Sequence, residues 1–294
     1  MQFSTCMPYM ERGYDRATTL DWCRAVDAGP FATLSCGERI TSYAQEMRVL
    51  LSAAAALTNR VRIMPSLYVL PMHSAVWAAK EIATLDVLAA GRLGVTVGVG
   101  SRVQDYRAVG ASFRNRHQRL DEQVATMRRV WRGEPPFPGA EPVGPAPLQP
   151  GGPPLYAGAM GPKAIRRSAA WADGIYGFSV NASVDPVRNQ FRLARAAWDE
   201  AERDSPPRLM NGFWYSLADD APAKLARYVV EYLKVAGEAN ARAVARTMVT
   251  SDAGAILEAI DAMQEEGCDE LFLVPATLEI AEVERLARLL EGRV

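Results

Sequence analysis

Short apolar runs alternate along the chain with longer stretches in which apolar residues recur every three or four positions. A short apolar run bounded by turn residues reads as a strand covered on both faces, and the three-to-four spacing reads as a helix with one apolar stripe. Eight strands are expected, at 2–7, 31–36, 61–69, 93–99, 154–159, 174–179, 208–215 and 269–274. Between them, Leu120, Val124, Met127 and Trp131 fall on one helical face, as do Ile280, Val283, Leu286 and Leu290. Asp219 or Asp220 is placed to cap a helix with Pro222 in its first turn, and Ser251 to cap the helix carrying Ile256, Ile260 and Met263.

Strictly alternating β and α units predict a parallel sheet. Eight units can close into a ring without edges, so the expected fold is an α/β (β/α)8 TIM barrel formed as one domain over 1–294. An open doubly wound sheet is the competing arrangement. The segment 133–154, after the fourth helix, is too rich in Pro and Gly for a helix or a ladder strand, and reads as a surface excursion. Pro65 has no N–H to give to a ladder, which predicts an interrupted third strand between Pro65 and Leu67.

A barrel of this kind builds its site at the strand C-termini, which confines the search to eight loops starting at residues 8, 37, 66, 98, 158, 179, 216 and 275. Glu38 and Arg39, after the second strand, suit acid–base work or substrate anchoring, or they form a salt bridge with each other. His73, after the third strand, is the histidine placed to face the mouth. Gly98, Val99, Gly100 and Ser101 begin a GxGxxV, 98–103, that lacks the third glycine of a dinucleotide fingerprint; they suit close approach of a planar ring, or a tight turn. Gly158, Ala159, Met160 and Gly161 precede Pro162, so their N–H groups can hold an anion with help from Lys163, or simply form a compact turn.

Composition narrows the chemistry. With 33 basic against 34 acidic residues, no cationic excess for binding nucleic acid is present. The four cysteines are spaced neither as a disulfide framework nor as metal ligands, and no apolar run is long enough for a membrane span. The expectation is a cytoplasmic protein that binds neither nucleic acid nor membrane nor metal. No GxSxG, HExxH or P-loop occurs, so a bound cofactor is expected to carry the chemistry.

Several stretches, in order, resemble the bacterial luciferase-like superfamily of flavin- or F-420-dependent oxidoreductases: LPMHSAVWAAKEIATLDVLAAGRLGVTVGVG, DYRAVGASFRNRHQRLDEQVATMRRVW, PPLYAGAMGPKAIRRSAAWADG and EEGCDELFLVP. The most specific part is Ala83-Thr84-Leu85-Asp86 with Gly91-Arg92-Leu93. The resemblance implies a barrel with reduced FMN, or alternatively coenzyme F-420, at the strand C-termini, and a homodimer. It puts a non-prolyl cis peptide at Ser66 and Leu67 behind the ring, Gly98 to Ser101 near the ring and ribityl chain, and Gly158 to Gly161 at the phosphate. Glu38 falls at the family's acidic position. Asp86, Arg92, Asp173 and Gly174 are family-typical residues below the mouth and are expected to be structural.

Arg39 stands where luciferases proper carry a histidine, which argues against light emission. The expected activity is oxidation of a small organic substrate by oxygen with reduced FMN from a partner flavin reductase. Hydride transfer with F-420 is the alternative, and a noncatalytic flavin-binding protein is the third possibility. Tyr9, Tyr68 and Phe178 are candidate substrate residues, and Arg12, Arg39, Arg102, Arg107 and Lys163 form a basic rim suited to the acidic tail of F-420.

Overall fold

The computed structural model describes residues 1–293; Val294, the last residue of the expected domain, lies outside them. In chain order the elements are β1 Gln2–Cys6, α1 Arg16–Ala28, β2 Thr33–Cys36, α2 Met47–Leu57, β3 Arg62–Tyr68, α3 Ala75–Leu88, β4 Val95–Val97, α4 Val103–Ala108 and α5 Arg116–Trp131. They continue with β5 Leu155–Ala157, α6 Pro162–Ser168, β6 Gly174–Tyr176, α7 Val184–Glu200, β7 Arg208–Tyr215, α8 Ala221–Leu233, α9 Glu238–Ala245, α10 Ala253–Glu265, β8 Glu270–Pro275 and α11 Ile280–Leu289. The eight strands pair in parallel, in sequence order, and β1 closes on β8. The closed (β/α)8 barrel is therefore the fold, and the open sheet is excluded. Every expected strand is present; β4, β5 and β6 are shorter than their apolar runs because the residues beyond them bend into the mouth loops.

The helix spacing holds as well: Leu120, Val124, Met127 and Trp131 are buried on α5, and Val283, Leu286 and Leu290 are buried on and just after α11. Two capping expectations change. Asp252, not Ser251, caps α10, its carboxylate accepting the Ala255 N–H at 3.0 Å. Asp220 precedes α8 in a left-handed conformation (φ 61°) and makes no side-chain cap bond.

Inside the barrel, Met64, Tyr156, Tyr176, Met210 and Phe272 form an apolar layer with Leu67 and Phe178 packed against it. At the N-terminal end of the strands a polar plug closes the ring. The fully buried Glu270 carboxylate accepts from Ser4 Oγ at 2.6 Å and Thr33 Oγ1 at 2.5 Å, and pairs with Arg62 at 2.9 Å and Arg208 at 2.8 Å. Burying a carboxylate is tolerable only with such a set of donors. Gly174 is required nearby, because a Cβ there would lie 2.1 Å from the Arg208 carbonyl oxygen.

Asp86 and Arg92 prove structural. Asp86 is buried and accepts from the backbone and side-chain amides of Gln149, whereas Arg92 donates to the carbonyls of Ala55 and Thr58 at 3.1 and 2.8 Å. The 133–154 segment contains no helix or strand. Gln149 also donates to the Leu93 carbonyl at 2.8 Å, which ties the excursion to the start of β4, the face opposite the strand C-termini. No helix among the described residues is long and apolar enough to cross a membrane.

Candidate active site

The interruption expected at Pro65 lies at the C-terminal end of β3. Ser66 pairs with Thr96 but Tyr68 pairs with Val97, so β3 carries one extra residue against β4, and the Ser66–Leu67 peptide is cis. The bulge turns the Leu67 side chain across the mouth toward β4 and β5. A Cβ on Gly98 would sit 2.8 Å from Leu67 Cδ1, and one on Gly158 only 2.2 Å from Leu67 Cδ2. A Cβ on Gly100, itself at φ +59°, would meet Val69 Cγ1 at 2.9 Å. These glycines thus make room for the β3 side chains, a packing reason that the sequence alone did not supply. Val99 gives its carbonyl to the Tyr106 hydroxyl at 2.6 Å, and Ser101 is exposed at the rim.

Glu38 and Arg39 do not pair with each other. Glu38 is almost fully buried at the side chain: one carboxylate oxygen accepts the Val69 N–H at 2.7 Å and the other lies 2.7 Å from His73 Nε2. The ring of His73 is edge-on to Tyr68 at 4.9 Å, and its carbonyl accepts from Gln123 at 2.7 Å. Glu38 and His73 therefore form a dyad that holds the backbone just beyond the bulge. Both carboxylate oxygens are engaged, which argues for positioning rather than for a free acid at the mouth.

Arg39 instead lays its guanidinium over the Tyr232 ring, 3.8 Å from the centroid, and Arg12 stacks on Tyr43 at 3.9 Å. Neither has a carboxylate within salt-bridge distance among the described residues. Together with Arg102 and Lys234 they line a cleft of ≈ 320 Å³, which also includes Thr41 and Glu231. The cleft brings together three of the five cations expected at the rim. Lys234 was missed because α8 gives no local sign that its end reaches the mouth; Tyr228 and Tyr232, four apart on that helix, were the available signal.

Of the candidate substrate residues, Tyr9 and Phe178 are at the mouth and Tyr68 is not. The Tyr9 hydroxyl occupies the space that a Gly37 Cβ would fill, 2.3 Å away, and burial pushes its phenol well above the ordinary value, with Tyr232 and Tyr228 adding to the shift. It stays protonated at neutral pH. The half-buried Phe178 packs on Trp214 at 4.9 Å, and Trp214 on Tyr232 at 4.7 Å, making an aromatic wall. Tyr68 is a correction: the bulge at Leu67 breaks the alternation that would follow from the inward-facing Met64 and turns Tyr68 outward, where it is buried and donates to Glu81 Oε2 on α3 at 2.6 Å.

After β5, the Gly158 N–H is used by the Val97 carbonyl at 2.8 Å. The N–H groups of Ala159, Met160 and Gly161, at the head of α6, have no acceptor among the described residues. Ala159 is buried, Met160 is 54% exposed, and Lys163 is exposed beside them.

Comparison with known proteins agrees with this arrangement. The chain is 32% identical over 170 residues to an uncharacterised protein of Mycobacterium tuberculosis, a match covering 55% of this chain and 59% of that one, so the chain spans less than two thirds of the curated relative. Its fold superposes on an F-420-dependent secondary alcohol dehydrogenase in complex with an F-420–acetone adduct (TM-score 0.77, 20% identity, 98% and 97% of the two chains covered). It also superposes on the oxygenating constituent of 3,6-diketocamphane monooxygenase from Pseudomonas putida, in complex with FMN (TM-score 0.73, 17% identity, 100% and 98% covered). The sequence profile of the luciferase-like monooxygenase family matches residues 1–291, and the chain belongs to that family.

Proposed function

We propose that this chain is an oxidoreductase that receives reduced FMN from a separate flavin reductase and uses oxygen to oxidise a small organic substrate at the barrel mouth. The observation that carries the reading is the trio of unpaired N–H groups at Ala159, Met160 and Gly161. They suit a terminal phosphate, since unpaired amides at a helix start favour an anion, and Lys163 adds charge. Bound reduced FMN supplies the reducing electrons for oxygen.

The chain's own residues have separable tasks. Leu67, held by the bulge between Gly98 and Gly158, and Phe178 present an apolar floor that excludes water. Glu38 and His73 keep the backbone at Val69 in place. Tyr9 offers a neutral hydroxyl, a donor toward a developing negative charge rather than a base. Arg39 anchors substrate. Ser66 and Ser101 border the seat of the ring and the ribityl chain.

One observation favours a second reading. Arg12, Arg39 and Arg102 share one cleft, which would suit the acidic tail of F-420 in a hydride-transfer enzyme. Anaerobic titration of the protein with reduced FMN and, separately, with F-420 decides between them: micromolar FMN binding with weak F-420 binding supports the monooxygenase, and the reverse order overturns it. Binding of either without turnover would leave a noncatalytic flavin carrier. The expected homodimer draws support from Val49 on α2 and Trp77 on α3, 69% and 63% exposed on helices that pack side by side.

A further inference from the structure

The cleft beside the mouth is charged out of proportion to what the fold needs. Arg102 is matched by Asp105 at 3.3 Å and Lys234 by Glu231 at 2.6 Å, but Arg12 and Arg39 form no salt bridge among the described residues; Glu231, the acid whose charge Arg12 feels across the cleft, is already engaged by Lys234. Each lies over a tyrosine ring, which holds a guanidinium in place while leaving hydrogen-bond donors for a ligand, although Arg39 also engages the Tyr232 hydroxyl. Such preorganised, unpaired forks suit bidentate recognition of a carboxylate or a phosphate.

Position distinguishes this cleft from the amide trio. Arg12 and Arg39 follow β1 and β2, whereas Ala159 to Gly161 follow β5, and in the closed ring β5 stands opposite β1. A phosphate at the amide trio would thus sit on the other side of the ring from the Arg12–Arg39 cleft. Arg39 also reaches toward the aromatic wall, since it lies over Tyr232, which packs on Trp214 and through it on Phe178.

We propose that the substrate is an organic anion whose carboxylate or phosphate is held by Arg12 and Arg39, the rest of the molecule extending along the Tyr9–Phe178 side of the mouth. The inference rests on the FMN reading above, and its failure is separable from the failure of that reading. The test is calorimetric titration of the intact protein at low salt with benzoate, phenyl phosphate and neutral benzyl alcohol, on wild type, Arg39→Met and Arg12→Met. Thermal melting of each variant checks that it is folded, and parallel titration with reduced FMN and F-420 reports on the cofactor.

At least one anion is expected to bind about tenfold or more tightly than benzyl alcohol, and either substitution to weaken it about tenfold while FMN affinity is unchanged. Benzoate binding alone assigns a carboxylate, and phenyl phosphate binding alone a phosphate. Equal binding of benzyl alcohol, no anion binding at millimolar concentration, or anion affinity untouched by both substitutions would overturn the proposal. Loss of F-420 affinity in Arg39→Met, with the wild type preferring F-420, would assign the cleft to the cofactor and overturn it too. Failure of the wild type to bind reduced FMN, with selective anion binding intact, would sink the FMN reading alone.

Discussion

Replacing Glu38 separates a positioning carboxylate from a catalytic one. Its two oxygens accept the Val69 N–H and face His73 Nε2, each at 2.7 Å, in a place where the side chain is only 2% exposed. Glu38→Ala removes two hydrogen bonds to a charged group, each contributing about 1.5–3 kcal/mol, so a loss of about 3–6 kcal/mol is expected. At about 2.1 cal/mol/K per residue, a chain of 294 residues has an unfolding entropy of about 0.6 kcal/mol/K, and the melting temperature should fall by about 5–10 °C. Glu38→Gln keeps an acceptor for Val69 and loses only the charged partner of His73, so about half of that fall is expected. Differential scanning calorimetry measures both variants, and anaerobic FMN titration of each reports whether the bulge still seats the ring. A Glu38→Ala protein that melts with the wild type, or a Glu38→Gln protein as stable as wild type but devoid of turnover, would refute the positioning role.

Three further outcomes follow from the geometry. Glu270→Ala strands Arg62 and Arg208 at the barrel floor and should cost about 3–5 kcal/mol in urea denaturation; a loss below about 1 kcal/mol would show that the plug is dispensable. Burial raises the Glu282 carboxyl to about 7, in spite of its bonds from the Leu217 N–H and Ser216 hydroxyl. The folded state therefore holds this proton more tightly than the unfolded one, and wild-type stability falls as pH rises from about 4.5 through 7. Glu282→Gln should gain relative to wild type by up to about 3 kcal/mol at pH 8 compared with pH 4.5, and a pH-independent difference would contradict the burial argument. Trp77→Glu should shift a homodimer toward monomer in light scattering, whereas an unchanged mass would remove the α2–α3 face as the interface.

The barrel was legible because strands buried on both faces read as unbroken apolar runs, and β8, whose six residues are all buried, is the clearest case. The interrupted β3 was legible from one residue, since Pro65 cannot donate to a ladder. The site was legible only as a set of loops. Which partner each side chain takes depends on register and tertiary contact: Glu38 pairs with His73 and not with its neighbour Arg39, because Arg39 finds Tyr232 on a helix at the far end of the chain. Tyr68 was misplaced by the same limit, as the bulge at Leu67 decides which β3 residues face inward. Gly98 reads in the sequence as room for a planar ring or a tight turn and Gly158 as an anion-binding or compact turn, whereas Leu67, the side chain that needs the space at both, comes from another strand.

The central claim, that FMN is held at the mouth with its phosphate on Ala159, Met160 and Gly161, is tested most directly by anaerobic titration with reduced FMN beside reduced riboflavin, which differs only by the phosphate. Micromolar FMN binding that weakens about tenfold or more for riboflavin is the predicted result. Equal affinity for the two flavins, or binding of neither, would contradict it.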